Sequence, residues 1–129
     1  MPLAYPSIII AEPDADLRAL LDYIVAKTYP QVTNILVSSD HDTLQVASHQ
    51  EVQLVLIGHR PPALNGLTLV QHLRANHVTS PIVLLSPDET VEPTAMALGT
   101  TQFVAMPFSI TQLAQVLVSI FPHVRTWPD

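Results

Sequence analysis

Short, continuously apolar runs alternate with stretches in which apolar residues recur every three or four positions. Ser7 to Ala11 reads Ser-Ile-Ile-Ile-Ala and is closed by Pro13. Such a β-branched run predicts a strand buried on both faces. From Asp14 the period changes: Leu17, Leu20, Leu21, Ile24 and Val25 share one helix face, with Asp14 as N-cap and Pro30 as terminator. Thr33 to Val37 is a second strand, after which Asp40 caps a weaker helix through Leu44 and Ala47. Gln53 to Ile57 is a third strand, ending at Gly58, and Asn65-Gly66 is the turn signal of the following loop. Leu67, Val70 and Leu73 mark the next helix, and Pro81 to Leu85 a fourth strand. Ser86-Pro87-Asp88-Glu89 leads into a helix carrying Val91, Ala95, Met96 and Leu98, with Gly99 just beyond its end. Gln102 to Ala105 is a fifth strand. Ser109 caps a last helix whose apolar face is Ile110, Leu113, Leu117, Ile120 and Phe121. Five strands alternating with five helices predict an α/β doubly wound parallel sheet covered by helices on both faces.

Composition narrows the class. The 129 residues make one domain, with a core over 7–121 and residues 122–129 as a tail or linker stub. Hydrophobic residues reach 48% and charged residues only 12%, which excludes disorder. No apolar run approaches the roughly eighteen residues of a spanning helix, so no membrane contact is expected. The formal charge is −6, and Arg18, Lys27, Arg60, Arg74 and Arg125 are scattered. Nucleic-acid binding, which needs clustered cations, is therefore not expected. The chain has no cysteine, which excludes disulfide and thiolate chemistry. Met1 to Pro6 lacks both a basic and an apolar region, so the expected address is cytoplasmic.

In open α/β sheets the functional crevice lies beyond the carboxyl ends of the strands, where strand order reverses. For an order 2-1-3-4-5 that point falls between the first and third strands. It would gather Glu12, Pro13 and Asp14 with Gly58, His59 and Arg60, while Ser86 follows the fourth strand and Met106-Pro107 the fifth.

These residues carry a resemblance. Ile8 to Arg18, Pro62 to Gly66, Pro81 to Ser86, Ala97 to Gly99 and Phe103 to Phe108 stand in the order and spacing of the receiver domains of two-component response regulators. The likeness covers residues 7 to 121 and implies the flavodoxin-like order 2-1-3-4-5. It also implies phosphoryl transfer from a histidine kinase to an aspartate ending the third strand, with Mg²⁺ held by acids after the first. A Ser or Thr after the fourth strand and a Lys before the proline after the fifth complete that set. Carried over residue by residue, the acceptor position is Gly58, the paired acids are Glu12 and Pro13, and the lysine position is Met106. Only Ser86 keeps the expected type. The chain thus resembles a degenerate receiver, a pseudo-receiver, with no catalysis, cofactor or metal. Its output would be contact with a signalling protein or a covalently linked domain, or homodimerisation through the fourth and fifth helices. The alternatives are a phosphorylatable regulator using Asp14 or Glu12, and a small-ligand-binding flavodoxin-like domain. Against the last, the loops after strands one and three lack a Ser/Thr/Gly-rich phosphate cradle.

Single residues carry further expectations. Arg60 is expected as a solvated surface arginine; the sharper alternative has its guanidinium pair with Glu12 in place of a metal and hold one signalling state. His59 is expected to be an exposed loop histidine, since the six histidines form no metal-ligand spacing. Ser86 is expected to cap the next helix or satisfy loop backbone. Phe103 matches the family's switch aromatic and is expected in a fixed rotamer. The resemblance implies a cis Met106-Pro107 bond.

Overall fold

The structure, a computed structural model, describes residues 6–121; the expected tail or linker stub lies outside the described residues. Elements alternate along the chain: β1 (Ser7–Ala11), α1 (Ala15–Thr28), β2 (Thr33–Val37), α2 (Asp40–His49), β3 (Leu54–Gly58) and α3 (Gly66–Ala75). They continue through β4 (Ile82–Ser86), a 3₁₀ turn (Glu89–Val91), α4 (Glu92–Ala97), β5 (Gln102–Ala105) and α5 (Ile110–Ile120). The five strands form one parallel sheet in the order β2-β1-β3-β4-β5. The doubly wound architecture expected from the sequence is the one observed.

Successive strand residues point to opposite faces of a sheet, and this chain uses both. Ile8, Ile10, Leu54, Leu56, Val83 and Leu85 join α1 and α5 in one core. Ile9, Ala11, Val55, Ile57, Ile82 and Leu84 join residues of α3 and α4 in the other. That double burial explains why the strands read as unbroken apolar runs.

Several details differ from expectation. The cap of α2 is Ser39, whose hydroxyl accepts from the Asp42 amide at 3.1 Å; Asp40 is instead the first helical residue. Leu20 and Ile110, assigned to buried helix faces, are 39% and 52% exposed. Each sits at the margin of an apolar stripe wider than the sheet can cover. The fourth helix opens as a 3₁₀ turn capped by the Asp88 side chain, with a proline in the first turn of α4. β3 and β4 each begin and end one residue later than expected. Gly99 has φ +113°, and the Thr100 and Gly99 amides donate back to Ala95 and Met96 as in a Schellman end, as anticipated.

Candidate functional site

Strand order reverses between β1 and β3, and the register there pairs Ala11 with Ile57. The next residues out, Glu12 and Gly58, therefore become neighbours at the carboxyl edge of the sheet. Glu12 is fully buried, with its backbone amide donating to the Val37 carbonyl at 3.0 Å. Its side chain turns across β3 into the space above Gly58. A Cβ added to Gly58 would lie 1.9 Å from Glu12 Oε1. The glutamate of one strand fills the volume where the other strand lacks a side chain.

Two donors hold the carboxyl group there. The Asp14 amide and Arg60 Nε each donate to Oε2 at 2.8 Å, while the buried Oε1 accepts no hydrogen bond from the described residues. Burial pushes the Glu12 pKa above its ordinary 4.5, against the opposing pull of the Asp14 amide and the Arg60 charge. Arg60 is thus an ion-pair partner, and the expectation of a purely solvated arginine is corrected. Its position follows from a short closed loop: the Arg60 and Leu64 backbones exchange two hydrogen bonds, and Leu64 is buried. The Arg60 side chain remains 41% exposed, so the pair is open to solvent on one side.

Around this contact the other loop residues are already engaged. The Asp14 carboxylate caps α1 by accepting from the Leu17 amide at 2.8 Å, as expected. Arg18, whose role the sequence reading missed, donates from Nη1 to the Glu12 carbonyl at 2.7 Å. The signal was its place one turn beyond the cap, where a long side chain folds back over the β1–α1 connection. His59 is buried rather than exposed, because the close approach of α3 covers it. Its Nδ1 accepts from the Gly66 amide at 2.9 Å, which fixes a neutral ring protonated on Nε2. Burial lowers the His59 pKa from 6.5, partly offset by the charge of Asp88. A Cβ at residue 66 would lie 2.6 Å from Leu84 Cδ1 and 3.1 Å from Ile57 Cγ2, so a larger residue there would have to push this packing aside.

Ser86 is buried, and its hydroxyl accepts from the Asp88 amide at 3.0 Å, so it satisfies loop backbone as expected. Phe103 is almost wholly buried in the core that includes residues of α3 and α4. Met106 donates its amide to the Ser86 carbonyl, and the Met106–Pro107 bond is cis, as is Pro61–Pro62. Leu17 and Leu20 of α1 face Met106 and Phe108 across an apolar hollow of about 420 Å³, with Arg60 on its wall.

Mg²⁺ takes near-octahedral oxygen ligands, normally with carboxylates. This edge does not match that requirement. Glu12 has one oxygen tied to Arg60 and the Asp14 amide and the other wedged over Gly58; one oxygen of Asp14 caps α1; Pro13 and Gly58 have no side-chain oxygen. Among the described residues no three His, Cys, Asp or Glu side chains form a metal-ligating group. No helix of the described residues is long and apolar enough to cross a membrane.

A doubly wound domain with its chemistry-bearing side chains gathered at the β1/β3 reversal is the class that fold and site define. The chain belongs to the response regulator receiver domain family, whose pattern it matches over residues 8–118. Solved receivers resemble it throughout. The receiver domain of the sensor histidine kinase PA1611 from Pseudomonas aeruginosa PAO1, with a magnesium ion in its active site cleft, is 20% identical. It superposes with a TM-score of 0.77 over 90% of this chain and 97% of that one. The chemotaxis response regulator CheY4 of Vibrio cholerae is 15% identical with a TM-score of 0.79, covering 92% of this chain and all of its own. NtrX from Brucella abortus, solved with ADP, is 18% identical with a TM-score of 0.79; the match spans 95% of this chain but 28% of NtrX. These identities speak to fold alone. Among curated proteins, none matches the chain.

Proposed function

We propose that this receiver domain is degenerate and signals through protein contact, without aspartyl phosphorylation and without catalysis of its own. One observation carries the reading: the carboxyl group of Glu12 fills the space of the absent residue-58 side chain and is held there by Arg60. Phosphoryl transfer needs an accessible nucleophile and cations around the transferred oxygens. Glu12 is buried, one oxygen of the exposed Asp14 caps α1, and the thioether of Met106 carries no charge. Burial counts against Glu12 as an acceptor, and the uncharged Met106 leaves a phosphoryl group on Asp14 without the lysine that the family resemblance implies. Output would run through a signalling partner, a covalently linked domain or a second copy. Exposed Met96 on α4 and Ile110 on α5 are apolar side chains suited to self-association on that side. Such a module would work in the cytoplasm.

Incubating the protein with acetyl phosphate and Mg²⁺ and recording its intact mass tests this. No phosphoryl adduct is expected; a stable adduct would overturn the proposal. Thermal shift with flavins and nucleotides tests the ligand-binding alternative, and no stabilisation is expected.

A further inference from the structure

β2 is an outer strand of the sheet, with β1 on one side and no strand on the other among the described residues. The Thr33 amide donates to the Pro6 carbonyl, and the Val37 carbonyl accepts from the Glu12 amide. Residues 33, 35 and 37 therefore turn their backbone groups toward β1. The amides and carbonyls of Asn34 and Leu36 point outward, because the direction alternates along a strand. Edge strands are ordinarily blunted by charge, proline or a bulge. Thr33-Asn34-Ile35-Leu36-Val37 has no charge and no proline, and it pairs with β1 without a bulge. Leu36 is 44% exposed on it. The helix beside this edge is α1: Asn34 Nδ2 donates to the Asp22 carboxylate at 2.7 Å and to the Asp22 carbonyl. By helical spacing the side of α1 that carries Asp22 also carries Ala15, Ala19 and Ala26, all exposed.

We infer that two copies of this chain pair antiparallel through β2, joining their sheets into one, with the α1 helices of the two copies side by side. Three observations select a second copy as the occupant. First, the edge is self-complementary. A two-fold axis through Ile35 sets Asn34 of each copy opposite Leu36 of the other, and their outward amides and carbonyls satisfy one another. Second, the helices fit. α1 packs on both β1 and β2, so across the new pair the two α1 helices stand two strand spacings apart, about 10 Å. Packed helices lie about 8–10 Å apart, and the alanines leave room for that approach. Third, the charges match. The first turn of α1 carries Asp16 and its last turn Lys27, so antiparallel helices bring Asp16 of each copy toward Lys27 of the other. The contact uses the edge away from β5, and it stands whether or not the domain takes up a phosphoryl group.

Sedimentation velocity of the full chain from about 10 µM to 1 mM, where small interfaces associate, tests this. A monomer–dimer equilibrium is expected. Leu36→Pro removes an outward amide and no bond to β1, so it is expected to abolish the dimer and keep the circular dichroism of the fold. Ala19→Arg, at an exposed position of α1, is expected to do the same and covers the case in which the proline unfolds β2. Asp16→Lys is expected to weaken the dimer about threefold, and Lys27→Asp in the same chain to restore it. Hydrogen exchange at the Asn34 and Leu36 amides is expected to be slower in the dimer than in Ala19→Arg. A monomer at every concentration, a dimer that survives both Leu36→Pro and Ala19→Arg, or one broken instead by Met96→Asp would overturn the inference.

Discussion

Gly58 and Glu12 act as one packing unit, and their energetics are separable. Any side chain at 58 must displace a buried carboxyl oxygen that lies 1.9 Å from the position of its Cβ. Gly58→Ala is expected to cost about 1–3 kcal/mol, read from urea unfolding. In a Glu12→Ala background the same step should cost less than about 1 kcal/mol, and that difference measures the contact. Titration of the site has two opposing parts. Glu12 has a raised pKa in the folded protein, so its contribution is complete below 4.5 and declines as pH climbs through the folded value. His59 has a lowered one, so its contribution is complete above 6.5 and declines as pH falls through the folded value. Glu12→Gln is therefore expected to remove the alkaline decline and expose a steeper acid loss. His59→Asn, which keeps an acceptor for the Gly66 amide, should do the reverse. Thermal midpoints between pH 4 and pH 8 check both.

Helix ends and helix faces carried the information that periodicity handled least evenly. Ser39→Ala is expected to destabilise by about 1 kcal/mol because it removes the acceptor of the Asp42 amide, while Asp40→Ala should change midpoints little. Calorimetry of the two variants distinguishes the observed cap from the one the sequence favoured. Asp40 misleads because a run of Ser and Asp offers several adjacent cap candidates. The long runs of Ile8-Ile9-Ile10 and Leu54 to Ile57 declared themselves as strands because nothing in them is polar. Leu20 and Ile110 look like core in the sequence, since an apolar stripe does not state how wide a groove will cover it. The Arg60–Glu12 pair was one of two readings, because 48 residues separate the partners and only the strand register makes them neighbours. His59 was misread for the same reason: its cover comes from the Gly66 turn, visible as Asn65-Gly66 but silent about what it packs on.

Across the molecule, the edge opposite the site is tied together by one arginine. Arg74 of α3 donates to the carbonyls of Val78 and Ser80 before β4 and, through two nitrogens, to that of Gly99 before β5. Arg74→Met is expected to cost about 3 kcal/mol by leaving several carbonyls poorly satisfied. Its effect on chemical denaturation should exceed that of Arg60→Met, whose side chain is half in water. The strand order came from family likeness rather than from periodicity, which cannot order strands. Once that order is given, adjacency of Glu12 and Gly58 follows from counting along the register. The same crowding makes the two positions interdependent. An aspartate introduced at 58 would meet Glu12 Oε1 and would still find no cation at Met106. Gly58→Asp alone is therefore expected to gain no phosphoryl adduct from acetyl phosphate, because positions 12 and 106 would have to change with it.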